Sequence, residues 1–292
     1  MRSAFYFSGS IIGILGEQGS GKSFVSLKLA LEWANRFEFD LCFNFSINAD
    51  YLYDYCLLNG YTWLLSRFLL NKIICKSVCD SRGNLQLDKW MSDQRTLYVL
   101  DEAGVFLNSR RFRDVNPQFL SDLAQVRHKS RRLFWIAQYY EMTDKILRSL
   151  TSGFVHCESM TIFDKKLAAP KIILQKYALY SARNYQRYLT KVADKVGGLK
   201  MFFTQRKLAQ YTYQARLSQA DLLLFEIYQS FQDNVEDNVV LHGKRDFTKF
   251  RKYYDISTSK NKIIEPEKSK QSFDNDSFIT LDNYQENGVN KT

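Results

Sequence analysis

Gly16-Glu17-Gln18-Gly19-Ser20-Gly21-Lys22-Ser23 decides how the chain is read. The stretch fits G-x-x-x-x-G-K-[ST], a spacing that lets backbone N–H groups cradle phosphate. Ile11-Ile12-Gly13-Ile14-Leu15 precedes it and reads as a buried strand. Phe24, Val25, Leu27, Leu29, Ala30 and Leu31 follow at helical spacing. Strand, glycine loop and helix aim amide groups and a helix N-terminus at an anion. Gly16, Gly19 and Gly21 allow close approach, with Glu17, Gln18 and Ser20 completing the loop. Lys22 is expected on the outer phosphates and Ser23 on Mg²⁺.

A second signature lies downstream. Thr96-Leu97-Tyr98-Val99-Leu100 reads as a strand ending in Asp101-Glu102. There Asp101 can support the metal, and Glu102 can act as general base toward water. A third apolar strand, Leu133 to Ala137, ends in Gln138, a residue suited to sense a terminal phosphate or the water. A polar strand cap is the plain alternative. Arg148, on a short helix over 142–150, is a candidate to reach a neighbouring subunit's nucleotide. Arg127, Arg131 and Arg132 compete for that role, against simple solvation. His128 and His156 read as structural.

The remaining chain is placed by pattern. A second strand is expected over 37–45 and a helical insertion over 47–79. A turn at 81–84 and residues 85–90 lead to the next strand, with a basic loop at 108–113 and a helix at 117–129. Two strands, 154–163 and 171–180, form a hairpin at the sheet edge. Residues 181–210 interleave basic and aromatic side chains. They either bind phosphates and stack on bases or form an amphipathic helix docked on the domain. A helix is expected over 218–231. These boundaries give an ATPase domain over 1–180, a mainly helical basic and aromatic appendage over 181–242, and a disordered polar tail over 243–292.

The net charge of +10 and pI of about 9.2 favour anionic partners, nucleic acid or an anionic membrane surface. The five cysteines and three histidines lack the paired spacing of a zinc site, and the cysteines read as reduced core residues. No uninterrupted apolar run reaches the roughly 18 residues of a membrane span.

The string Leu100 to Leu107, with Val126-Arg127-His128, Ile136-Ala137-Gln138 and Leu147-Arg148, resembles the zonular occludens toxin-like family. That family includes the assembly ATPases of filamentous phages, within the wider FtsK/HerA group. The resemblance spans roughly residues 8–160. It implies an α/β P-loop NTPase with a mainly parallel, additional-strand (RecA/FtsK-like) sheet flanked by helices. In that sheet the glutamine strand lies between the P-loop strand and the Asp-Glu strand.

The resemblance further implies ATP and Mg²⁺ as ligands, a homo-oligomeric ring such as a hexamer, and DNA and phage coat or capsid proteins as partners. It places the motor in the host cytoplasm, recruited peripherally to the inner membrane or a virion vertex. Arg131-Arg132 departs from the family's glycine-bearing turn, and the membrane helix of filamentous-phage members has no counterpart here. The packaging ATPases of membrane-containing icosahedral phages share the wider core. A helicase-like translocase and a nucleotide-switched assembly scaffold are the other expectations.

Overall fold

Three strands carry apolar side chains on both faces, and their alternation sorts the core into two layers. Ile12 and Ile14, Leu97 and Val99, and Phe134 and Ile136 face one layer. Ile11 and Leu15, Tyr98 and Leu100, and Leu133, Trp135 and Ala137 face the other. Burial on both sides is why these strands read as continuous apolar runs.

The computed structural model describes residues 9–108, 117–164, 169–194, 198–217, 219–228 and 241–244. Its elements are β1 (Ile11–Leu15), α1 (Lys22–Phe37), β2 (Asp40–Phe43), β3 (Ile47–Asn48), α2 (Ala49–Leu58), α3 (Thr62–Leu69) and β4 (Ile73–Cys75). Then come α4 (Leu87–Trp90), β5 (Thr96–Leu100), α5 (Ala103–Phe106), α6 (Pro117–Ala124), β6 (Arg132–Ala137) and α7 (Lys145–Leu150). The remainder is β7 (Gly153–Asp164), β8 (Ala169–Ser181), α8 (Ala182–Ala193), α9 (Gly198–Leu208), β9 (Tyr211–Arg216), α10 (Gln219–Ile227) and β10 (Leu241–His242).

Among the described residues, eight strands form one sheet in the order β4-β2-β5-β6-β1-β7-β8-β9. The run from β4 to β7 is parallel, and β8 and β9 extend it antiparallel. β6 lies between β1 and β5, in register Leu15↔Ala137 and Leu100↔Trp135. The fold is that of a P-loop NTPase with an additional central strand. α1, α2, α3 and α10 pack on one face, and α4 to α8 on the other.

Several boundaries differ from the sequence expectation. The insertion over 47–79 is not wholly helical: Asn71 takes a left-handed φ of 52° after α3, and Ile73-Ile74-Cys75 then joins the sheet beside β2. Residues 87–90 form a short helix because Trp90 is buried and its indole donates to the Lys76 carbonyl at 3.0 Å. α6 stops at Ala124, since Val126 turns into the core and Ser130 takes a φ of 51°. The β7–β8 hairpin is not the sheet edge, because β9 pairs outside it. The basic loop beyond Asn108 and the polar tail beyond residue 244 lie outside the described residues.

Within residues 181–210 lie α8 and α9. Tyr185 and Tyr188 are buried against Phe154 and Tyr180, which favours docked helices over base stacking for these two rings. Arg131 is also buried. It donates through Nε to the Asp93 carbonyl at 3.0 Å and through a terminal nitrogen to Ser92, while Arg132 donates to Gly9. Their carbonyl partners make both arginines scaffold residues.

Gly13 makes room for two large rings. A Cβ there would lie 2.5 Å from Trp135 and 2.8 Å from Phe154, whose rings meet edge-on across it at 5.9 Å. Gly13→Val should lower the unfolding free energy by about 1–3 kcal/mol, read as a lower urea midpoint at unchanged slope.

Candidate functional site

The glycine loop fills the gap between β1 and α1, braced from behind by β7 and β8. A Cβ on Gly16 would lie 2.5 Å from the Cys157 carbonyl oxygen. Gly21 caps α1 at φ 77°, where a Cβ would also meet Gln175 Oε1 at 2.2 Å. Gln175 Nε2 donates to the carbonyls of Ser20 and Glu158, both at 3.1 Å, and Ser159 Oγ donates to that of Gly19 at 2.8 Å. These bonds hold the loop from the sheet side.

The loop's open side is built for an anion. A Cβ on Gly19 would meet no atom within 4 Å. Ser20 Oγ is buried without a hydrogen-bond partner among the described residues. Such an orphaned hydroxyl at a helix N-terminus suits a phosphate oxygen. Lys22 Nζ donates to the Glu17 carbonyl at 2.7 Å. Burial pulls its ammonium below the usual lysine range, opposed by Cys157 and Asp101.

Asp101 stands across the mouth of the loop. Its Oδ2 accepts from Ser23 Oγ at 3.2 Å and from the Tyr228 hydroxyl at 2.6 Å, and its Oδ1 accepts from the Glu102 amide at 2.8 Å. The Asp101 amide donates to Asn44 Oδ1 at 2.6 Å, and Asn44 Nδ2 donates to the Asp101 carbonyl at 3.1 Å. Asn44, wholly buried just beyond β2, therefore fixes the backbone that carries the carboxylate. Serine and aspartate oxygens at this separation form a hard donor pair suited to Mg²⁺. Glu102 is exposed in a left-handed conformation, φ 54° and ψ 38°, at the head of α5.

Gln138 follows β6 next to the loop strand. With Gly16–Ser20, Tyr140, Glu141 and His156 it lines a cavity of about 540 Å³. His156 Nδ1 lies 3.3 Å from the Tyr185 hydroxyl, and burial lowers its basicity, with Glu158 opposing.

The structure thus brings the 16–23 loop, Asp101, Glu102 and Gln138 to the carboxyl ends of three adjacent strands. It does not bring Arg127 there: that residue is exposed between α6 and β6, at the amino ends of the strands. The Arg148 guanidinium lies over the Tyr140 ring at 4.7 Å. Asn44, Gln175 and Tyr228 escaped the sequence reading. Asn44 carries the same signal as Gln138, a polar amide directly after an apolar strand.

Arg187, Lys191 and Lys207, all exposed, line a groove between α8 and α9 with Thr190, Thr204 and Leu208. No helix among the described residues is long and apolar enough to cross a membrane.

No protein-family model matches the chain, and no curated protein matches it in sequence. Similar solved structures include the N-terminal domain of zonular occludens toxin from Neisseria meningitidis, 16% identical at a TM-score of 0.38, covering 76% of this chain and 99% of that one. Another is the genome packaging NTPase B204 from Sulfolobus turreted icosahedral virus 2 in complex with ATP-gammaS, 15% identical at a TM-score of 0.35 over 60% of this chain and 93% of that one. A third is a KaiC-like protein from Pyrococcus horikoshii OT3, 14% identical at 0.35 over 59% of this chain and 78% of that one. Since all three TM-scores are below 0.5, the fold stated above rests on this chain's own glycine loop and strand order.

Asn44→Ala should strand the buried Asp101 amide and lower the unfolding free energy by about 1–3 kcal/mol, measured by urea titration.

Proposed function

We propose that this chain binds Mg·ATP, hydrolyses it, and uses hydrolysis in a homo-oligomeric motor that moves DNA during assembly, extrusion or packaging of a virus or mobile element. The observation that carries the reading is the Ser23–Asp101 hydrogen bond at the mouth of the glycine loop, formed across 78 residues of sequence. It joins the two nucleotide signatures at one point, with the Gln138 strand inserted between theirs.

The loop amides and the N-terminus of α1 receive phosphate oxygens, and Lys22 adds a positive charge from inside the loop. Ser23 would hold Mg²⁺ and Asp101 would support it directly or through one of its waters; the ion supplies charge neutralisation for the phosphates when bound. Glu102 takes a proton from the attacking water, and Gln138 orients that water from the neighbouring strand. Arg148 or Arg127 completes the site of an adjacent subunit. The net charge of +10 and the groove of Arg187, Lys191 and Lys207 support DNA as the polymer moved.

Steady-state ATP hydrolysis with and without single- or double-stranded DNA tests the reading. Lys22→Ala should abolish turnover. Glu102→Gln should keep ATP binding and lose about 10²–10⁴ in kcat. Binding lost in Glu102→Gln, or turnover retained in Lys22→Ala, would overturn the assigned roles.

The triple change Arg187→Glu, Lys191→Glu and Lys207→Glu should weaken DNA binding and flatten its salt dependence, leaving DNA-free turnover unchanged. An unchanged salt slope in a fluorescence-anisotropy titration would remove this groove from the DNA path.

A further inference from the structure

The corner between Ser23 and Asp101 holds a second hydroxyl. Tyr228 lies 127 residues beyond Asp101, yet its hydroxyl donates to Asp101 Oδ2 at 2.6 Å, the oxygen that also accepts from Ser23. Helix α10 delivers it. Leu224 and Ile227 are fully buried in the layer formed with α1, α2 and α3. Asp221 pairs with Lys28 of α1 at 2.5 Å, and Phe225 stacks on Phe24 at 5.1 Å. The Tyr228 ring packs edge-on against Phe45 at 4.8 Å. The end of α10 thus lies across the first turn of α1, and Leu224, Phe225 and Tyr228 wall a cavity of about 280 Å³ with Gly19, Lys22 and Ser23.

The anchors on Lys28, Phe24 and Phe45 bring the helix to the loop, and the hydroxyl adds one more bond, at the site. That group is spent on the site itself. The phenol is the donor of that bond, since an ionised carboxylate can only accept. A magnesium ion held by a P-loop serine keeps several of its own waters, and such waters are donors to a neighbouring carboxylate. Tyr228 gives Asp101 the same kind of donor from the protein.

We propose that Tyr228 is a positioning residue that holds Asp101 in place of the metal's hydration water, so that loading of metal–nucleotide and docking of α10 across the loop compete. This rests on the nucleotide reading above, and the test separates the two.

The full chain and Tyr228→Phe are each titrated with ATPγS in Mg²⁺ and in EDTA. The ratio of the two dissociation constants reports the metal's share of affinity. The phenylalanine variant keeps the ring against Phe45 and loses only the donor. Competition predicts equal affinities in EDTA and a magnesium-dependent gain about three- to tenfold larger in Tyr228→Phe, the worth of one hydrogen bond to a charged group. It also predicts that Mg·ATPγS speeds amide exchange over residues 219–228 of the unsubstituted chain, whereas ATPγS in EDTA does not. An unchanged ratio would reduce Tyr228 to packing. A smaller ratio in the variant, or amide protection over 219–228, would show that Tyr228 helps to hold the metal and would overturn competition. Absence of nucleotide binding by the unsubstituted chain would overturn both readings together.

Discussion

A carboxylate taken out of water is tolerated only where donors replace the water. Asp101 is 5% exposed and meets that requirement with three donors: the Ser23 hydroxyl, the Glu102 amide and the Tyr228 hydroxyl. Each comes from a different part of the chain, and Asn44 adds a fourth segment by bonding both the amide and the carbonyl of Asp101 itself. The helix after the glycine loop, the ends of two neighbouring strands and a distant helix must all be in place before this charge is satisfied. Removing any one partner leaves the others organised around a poorly solvated anion.

The strand order places the remaining polar residue of the site. Gln138 can stand beside the loop only because its strand enters between those of Gly16 and Asp101. That strand is closed at its start by Arg131 and Arg132, whose guanidinium groups end on backbone carbonyls. Arginine suits this task because its fork of donors can serve several carbonyls while the planar guanidinium, as at Arg132, also lies over rings, here Trp33 and Phe39 at 5.7 Å.

How much of this was legible in the sequence followed from the range of each interaction. The loop, the Asp-Glu strand and the glutamine strand were readable because a phosphate-cradling turn needs fixed local spacing and burial on both faces writes unbroken apolar runs. Ile73-Ile74-Cys75 was not, since three residues following a helix are too short to show a period of two; the left-handed Asn71 was the one local sign of a break. Tyr185 and Tyr188 looked alike for stacking on a base and for filling a core, because helical spacing is the same in both cases. Arg131 could not be told from a solvated arginine, as its partners lie 38 and 39 residues away. Tyr228 was beyond reach for the same reason.

The order of synthesis acquires a meaning from the position of α10. Everything needed to shape the glycine loop's floor, down to Gln175, precedes Tyr228 in the chain. At typical elongation rates of about 5–20 residues per second, the 53 residues from Gln175 to Tyr228 take roughly 3–11 s to emerge. A nascent chain therefore passes through a period in which its anion cradle can assemble while the helix that crosses it has yet to leave the ribosome. In that interval the open side of the loop is uncovered, and α10 closes across it only afterwards.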